Sequence, residues 1–254
     1  MNNQIRLIVH LLFATLTLFY FNQCRKLVER GGGSFWFIIW NQHVFLTNLT
    51  HTLVTIYYLY VLYQDLIRIL GVSSEKKEHF NKYTYSPITH TYFQLILSLS
   101  MIVGLGYWSL MIIDPQLLWG KIDPQTMNAY HMMSYLHGGN HLHLYIEIFL
   151  YKQHVFINKK QKFTIDFMFL SAYFTITAIQ YFAFGKVVYN FQNEGLAVMI
   201  PIYILSTLAF AAFDFGFLAI STKIGLYDVS IDKEQKEAIE NGKKITTQSG
   251  KKKN

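Results

Sequence analysis

The chain alternates between long apolar runs and short polar connections. Six runs reach or approach the roughly 20 residues that a helix needs to cross hydrocarbon. They are Ile5–Phe21, Phe45–Leu66, Tyr92–Ile113, Tyr130–Tyr151, Phe163–Phe184 and Leu196–Ser221. In lipid every backbone N–H and C=O must be satisfied within its own segment, so runs of this length predict helices. The short connections predict one all-α polytopic membrane bundle of about six transmembrane helices over residues 1–226, with a polar tail over 227–254.

The fourth run breaks the apolar pattern. It carries His131, His137, Asn140, His141, His143 and Glu147. A charge at the centre of a membrane helix costs roughly 2.5–3.5 kcal/mol even on lenient scales, so such a cluster marks a functional site by default. At 100° per residue His137, Asn140, His141 and Glu147 share one face, while His143 points elsewhere and His131 lies near the rim. A second belt of acids, Asp65, Glu147, Asp166 and Asp214, falls at the opposite ends of the spans. Asp65 and Asp166 read as groups that reach the interface or pair with neighbouring bases such as Arg68; Glu147 and Asp214 read as deeper and facing the bundle.

Composition agrees with a membrane protein. The 254 residues are 52% hydrophobic and only 15% charged, against about a quarter charged in a soluble domain. Seventeen of the 22 basic residues fall at the N-terminus, in residues 67–91 and 152–162 and in the tail. The positive-inside rule then predicts both termini in the cytosol, or in the matrix of a mitochondrion. The net charge of +7 reflects this asymmetry; no element carries the basic stripe of a nucleic-acid-binding protein. The first run lacks a small-x-small cleavage pattern and reads as a retained anchor. Cys24 stands alone, which excludes an internal disulfide framework. Asn48-Leu49-Thr50 matches a glycosylation sequon but lies inside a span, where it goes unused. The ending Lys251-Lys252-Lys253-Asn254 resembles a dilysine retrieval signal and favours the endoplasmic reticulum; the mitochondrial inner membrane is the alternative.

Two chemistries fit the polar face. His137 and His141 are four residues apart, a spacing that lets two imidazoles bind one metal. A third ligand is needed, and only His43, His51 and His90 are of the right type, so no metal or cofactor is predicted. Acyl transfer needs a hydroxyl with an adjacent base. Thr47, early in the second span, and His137, two turns into the fourth, both lie roughly 3–11 Å from the outer boundary at 1.5 Å per residue. His51, one turn below Thr47, competes as the base. A threonine hydroxyl in a helix usually bonds back to the carbonyl one turn earlier, so composition does not choose Thr47 over Thr50, Thr52 or Thr55. The histidines also suit a purely structural role, as hydrogen-bonding glue between helices.

The residues Gly31-Gly32-Gly33-Ser34, then Phe45-Leu46-Thr47, then Asp65-Leu66, resemble the androgen-induced / androgen-dependent TFPI-regulating membrane protein family. So do Leu136-His137 followed by Ile146-Glu147, and Gly185-Lys186-Val187-Val188-Tyr189. The resemblance covers roughly Gly31 to Ser221. It implies a multipass hydrolase of fatty acid esters of hydroxy fatty acids, with Thr47 as nucleophile and His137 as the histidine. Asn140 and His141 share the face of His137 and are candidates for substrate binding. The chain departs from the family pattern at Ser134 and Gly138, and a longer segment, Phe35–Val44, precedes Thr47; His141 is the fallback histidine if the register slips one turn. The implied partners are the bilayer and a fatty-ester or lipid ligand. The alternative is a non-catalytic accessory subunit of a larger membrane complex, such as a mitochondrial respiratory assembly, with a lipid-binding pocket and partner subunits.

Overall fold

A computed structural model describes residues 3–30, 45–70, 87–113, 127–150, 159–185, 192 and 195–223, and none of these is in a strand. Each predicted run is helical: α1 (Asn3–Arg30), α2 (Leu46–Leu70), α3 (Pro87–Ile113), α5 (Lys159–Phe184) and α6 (Leu196–Lys223). The fourth run forms α4, which comprises Met127–Ser134, a π turn over Tyr135–Gly139 and Asn140–Leu150. Gly185 closes α5 in the left-handed conformation (φ 61°), its N–H bonded to the Tyr181 carbonyl, as glycine can without a Cβ penalty. The glycine run at 31–33, His43, Lys152, positions 186–189 and the tail lie outside the described residues, as do the side chains of Arg68, His90 and Asp214.

Among the described residues four helices hold a stretch long and apolar enough to cross a membrane: Gln4–Lys26, Thr91–Ser109, Phe163–Phe184 and Leu196–Phe213. α2 has 25 residues, which at 1.5 Å each is about 37 Å, and α4 is of similar length. These two carry polar residues along their length, Thr47, His51, Gln64 and Asp65 on one and the histidines and Glu147 on the other.

The main core joins α1 to α4. Phe13 from α1, Val54, Tyr57 and Tyr58 from α2, Phe93 and Leu97 from α3, and Leu144 from α4 pack into one buried cluster. α5 and α6 attach through α3, where Leu99 meets Leu170 and Phe210. α6 exposes Ile200, Ile204, Leu205, Leu208, Phe215 and Ile220, an apolar surface that lipid covers without an aqueous penalty. α1 is the largest departure from expectation. Asn22 to Arg30 read as a connection, yet the helix runs through them. Cys24 is buried there against Met132 and Leu136, which gives this polar end of the helix an apolar face to pack.

Candidate active site

Thr47 stands in the first turn of α2. Further along, Thr52 donates to the Asn48 carbonyl and Thr55 to that of His51, both at 2.9 Å. Thr47 Oγ1 lies 3.0 Å from His137 Nε2. The pair joins residues 90 positions apart, at the common depth their sequence positions imply.

His137 is held on three sides. It sits within the π turn, a distortion frequent at functional sites. Its Nδ1–H donates to the Met133 carbonyl at 2.7 Å. A carbonyl only accepts, so a neutral ring bonded this way presents the lone pair of Nε2 to Thr47. The ring also stacks on Tyr107 of α3, centroids 3.9 Å apart and planes 17° apart. The Thr47 hydroxyl can therefore donate to Nε2, the arrangement that acyl transfer requires of a nucleophile and its base. The Met133 carbonyl orients the imidazole, a task that a carboxylate performs in serine triads.

The other candidates separate into distinct roles. His51 turns both nitrogens away from Thr47: Nε2–H donates to the Thr17 carbonyl (3.0 Å) and Nδ1 lies 3.1 Å from the Asn140 side-chain oxygen. Asn140 is buried, and its amide N–H donates to the Leu136 carbonyl at 3.1 Å. His143 stacks on Phe13 (4.3 Å, 15°) and accepts from the Tyr135 hydroxyl at 3.4 Å. His141 faces α3 so closely that a Cβ on Gly104 would lie 2.0 Å from its Nε2. Both its ring nitrogens are buried without a hydrogen-bond partner. Among the described residues no three His, Cys, Asp or Glu side chains converge as metal ligands.

A second polar cluster lies further in along the same two helices. Asp65 pairs with Arg6 at 2.8 Å and accepts from His10 Nδ1 at 2.6 Å. His10 Nε2 is 3.3 Å from Glu147, whose other oxygen accepts from the Tyr57 hydroxyl at 2.8 Å. Glu147 faces the bundle as expected. Asp65, read as reaching the interface or pairing with a base such as Arg68, is buried and pairs with Arg6 and His10 of α1; the Arg68 side chain lies outside the described residues. Asp166, also read as interfacial, is buried as well. Sequence reading missed Arg6, His10, Tyr57 and Tyr107. A signal existed for the first two: polar residues four apart inside an apolar run, which share a helix face.

Helices with broad apolar surfaces around a buried polar interior define an integral membrane protein of the helical class. The chain belongs to the FAR-17a/AIG1-like protein family, whose model matches residues 5–220. This is the family that the pattern around Thr47, Asp65, His137 and Glu147 resembles. No protein of curated description and no solved structure matches the chain.

Proposed function

We propose that the protein is an integral membrane lipid esterase in which Thr47 is the nucleophile and His137 the general base. The observation that carries this reading is the Thr47–His137 contact at 3.0 Å, on an imidazole whose other nitrogen is tied to a backbone carbonyl. A fatty ester enters laterally between helices. His137 Nε2 takes the proton from Thr47 as Oγ1 bonds to the ester carbonyl carbon. Collapse of the tetrahedral intermediate breaks the ester C–O bond, and His137 returns the proton to the leaving alcohol. Water, activated by the same imidazole, then releases the fatty acid. The substrate class implied by the family resemblance is a fatty acid ester of a hydroxy fatty acid. Six spans, both termini on the cytosolic side and residence in the endoplasmic reticulum belong to the same proposal. Support comes from six membrane-length helices and the basic asymmetry.

The test is hydrolysis of a fatty-ester panel by purified protein, with fluorophosphonate labelling alongside. Thr47→Ala and His137→Ala are expected to lower kcat by roughly a thousandfold or more and to abolish labelling, with Thr47→Ser retaining activity. Full turnover by either alanine variant removes the dyad. An inactive protein that co-purifies in a large membrane complex supports the accessory-subunit reading instead.

A further inference from the structure

The dyad as described lacks donors for the negative charge that develops on the ester carbonyl oxygen. Asn140 spends one of its two amide N–H donors on the Leu136 carbonyl, which leaves at most one for substrate. Among the buried polar atoms that make no hydrogen bond are the Thr50 hydroxyl, the Ser100 hydroxyl and both His141 ring nitrogens. Thr50 and Ser100 are each only 1% exposed. A buried donor left without a partner costs about 1–3 kcal/mol. Thr15, Thr52, Thr55, Thr175 and Thr207 avoid that cost by bonding to the carbonyl four residues back. Thr50 does not, although Leu46 offers such a carbonyl.

Helix phase places the three around one junction of α2, α3 and α4, within about a turn of one another. Phe93 of α3 packs on Tyr57 of α2, ring centroids 5.4 Å apart. Ser100 lies seven residues further out than Phe93, and Thr50 seven further out than Tyr57. Seven residues are nearly two full turns, so both return to the faces that meet at Tyr57 and Phe93, and at a common level. Tyr57 touches both α3, through Phe93, and α4, through Glu147; Thr50 therefore points to the junction of those helices. His141 is at that junction, against Gly104, one turn beyond Ser100. The level is one turn inward of Thr47 on α2 and one turn inward of His137 on α4.

We propose that Thr50, Ser100 and His141 form the oxyanion site of the esterase, donating two O–H groups and one imidazole N–H to the substrate's carbonyl oxygen. This rests on the Thr47–His137 reading. As Thr47 Oγ1 bonds to the carbonyl carbon, the C=O π pair moves onto oxygen, and the proton goes to His137 Nε2. The three donors then find the partner they otherwise lack. Because they are fixed by packing before substrate arrives, little reorganisation accompanies the step, which makes such donors effective.

The experiment is steady-state kinetics on the full chain in detergent, with thermal unfolding of each variant. Thr50→Val is expected to lower kcat by roughly 10²–10³-fold with KM nearly unchanged, the effect of losing one such donor. Its unfolding midpoint is expected to stay the same or rise, because an unsatisfied hydroxyl is replaced by a methyl group. Thr50→Ser restores kcat, and Ser100→Ala repeats the selective loss of kcat. Full kcat in Thr50→Val and Ser100→Ala, with Thr47→Ala inactive, overturns the oxyanion site and leaves the dyad standing. A fall in kcat and midpoint that Thr50→Ser does not restore also overturns it, as a packing role. Failure of the unaltered protein to hydrolyse or label overturns the dyad and this site together.

Discussion

In the proposed chemistry the deciding residue is a threonine distinguished from its neighbours by position within a helix. Thr47, Thr50, Thr52 and Thr55 were equivalent by composition. Depth and family resemblance singled out Thr47, and its hydroxyl, in the first turn of α2, meets the His137 ring at 3.0 Å. The opposing histidine was legible too, but the stack on Tyr107 and the bond to Met133 were not, since neither is encoded in residue type or spacing. Glycine supplies a sharper test at this scale. The face of Gly104 is filled by the His141 ring, whereas nothing lies within 4 Å of the Cβ position at Gly106. Gly104→Ala is expected to destabilise by about 1–3 kcal/mol through overpacking and to depress turnover by displacing His141. Gly106→Ala is expected to be neutral or to stabilise by up to about 1 kcal/mol from helix propensity. Thermal unfolding of the two variants side by side measures the contrast, and equal midpoints would remove the close contact.

At the scale of the element, α4 shows what uniform helical phase leaves out. Counting 100° per residue placed His137, Asn140, His141 and Glu147 on one face. The π turn over Tyr135–Gly139 widens the helix between the first of these and the rest. His137 meets Thr47, Asn140 meets His51, Glu147 meets Tyr57, and His141 turns to Gly104 of α3. Gly138-Gly139 lies in that turn, but a glycine pair also fits a close helix contact or a break, so the sequence did not specify a π turn. Inserting an alanine after Asn140, where the helix is regular, should rotate His141–Leu150 by about 100° relative to His137. Glu147 would then leave Tyr57 and His10. The expected result is unchanged helix content by circular dichroism with a stability loss of about 3–5 kcal/mol, the usual penalty for breaking a buried ion pair. An unchanged midpoint would show that the Glu147 contacts do not hold α4 in register.

For the whole molecule, the apolar runs located the six described helices, with ends mostly within a few residues: Leu196 opens α6 and Ile113 and Phe184 close α3 and α5 as read. What hydropathy could not supply was the partner of each buried charge, because pairing between helices depends on packing and leaves no periodicity in one chain. The Arg6–Asp65–His10–Glu147–Tyr57 cluster is the main case. It ties α1 to α2 and α4, the two helices that carry Thr47 and His137 at their other ends. Two acidic and two basic side chains are buried together, so removing one strands its partners. His10→Leu leaves Asp65 and Glu147 facing each other with Arg6 alone, at an expected cost of about 3–5 kcal/mol. Replacing His10 and Glu147 together by leucine removes a base and an acid. The double variant is expected to recover part of that loss, because Asp65 keeps Arg6 and the vacated volume is apolar. Unfolding of the single and double variants in one detergent closes the cycle. Additive losses would mean that His10 and Glu147 act independently, and a coupling of the predicted sign would mean that the cluster holds α1, α2 and α4 in register as one unit.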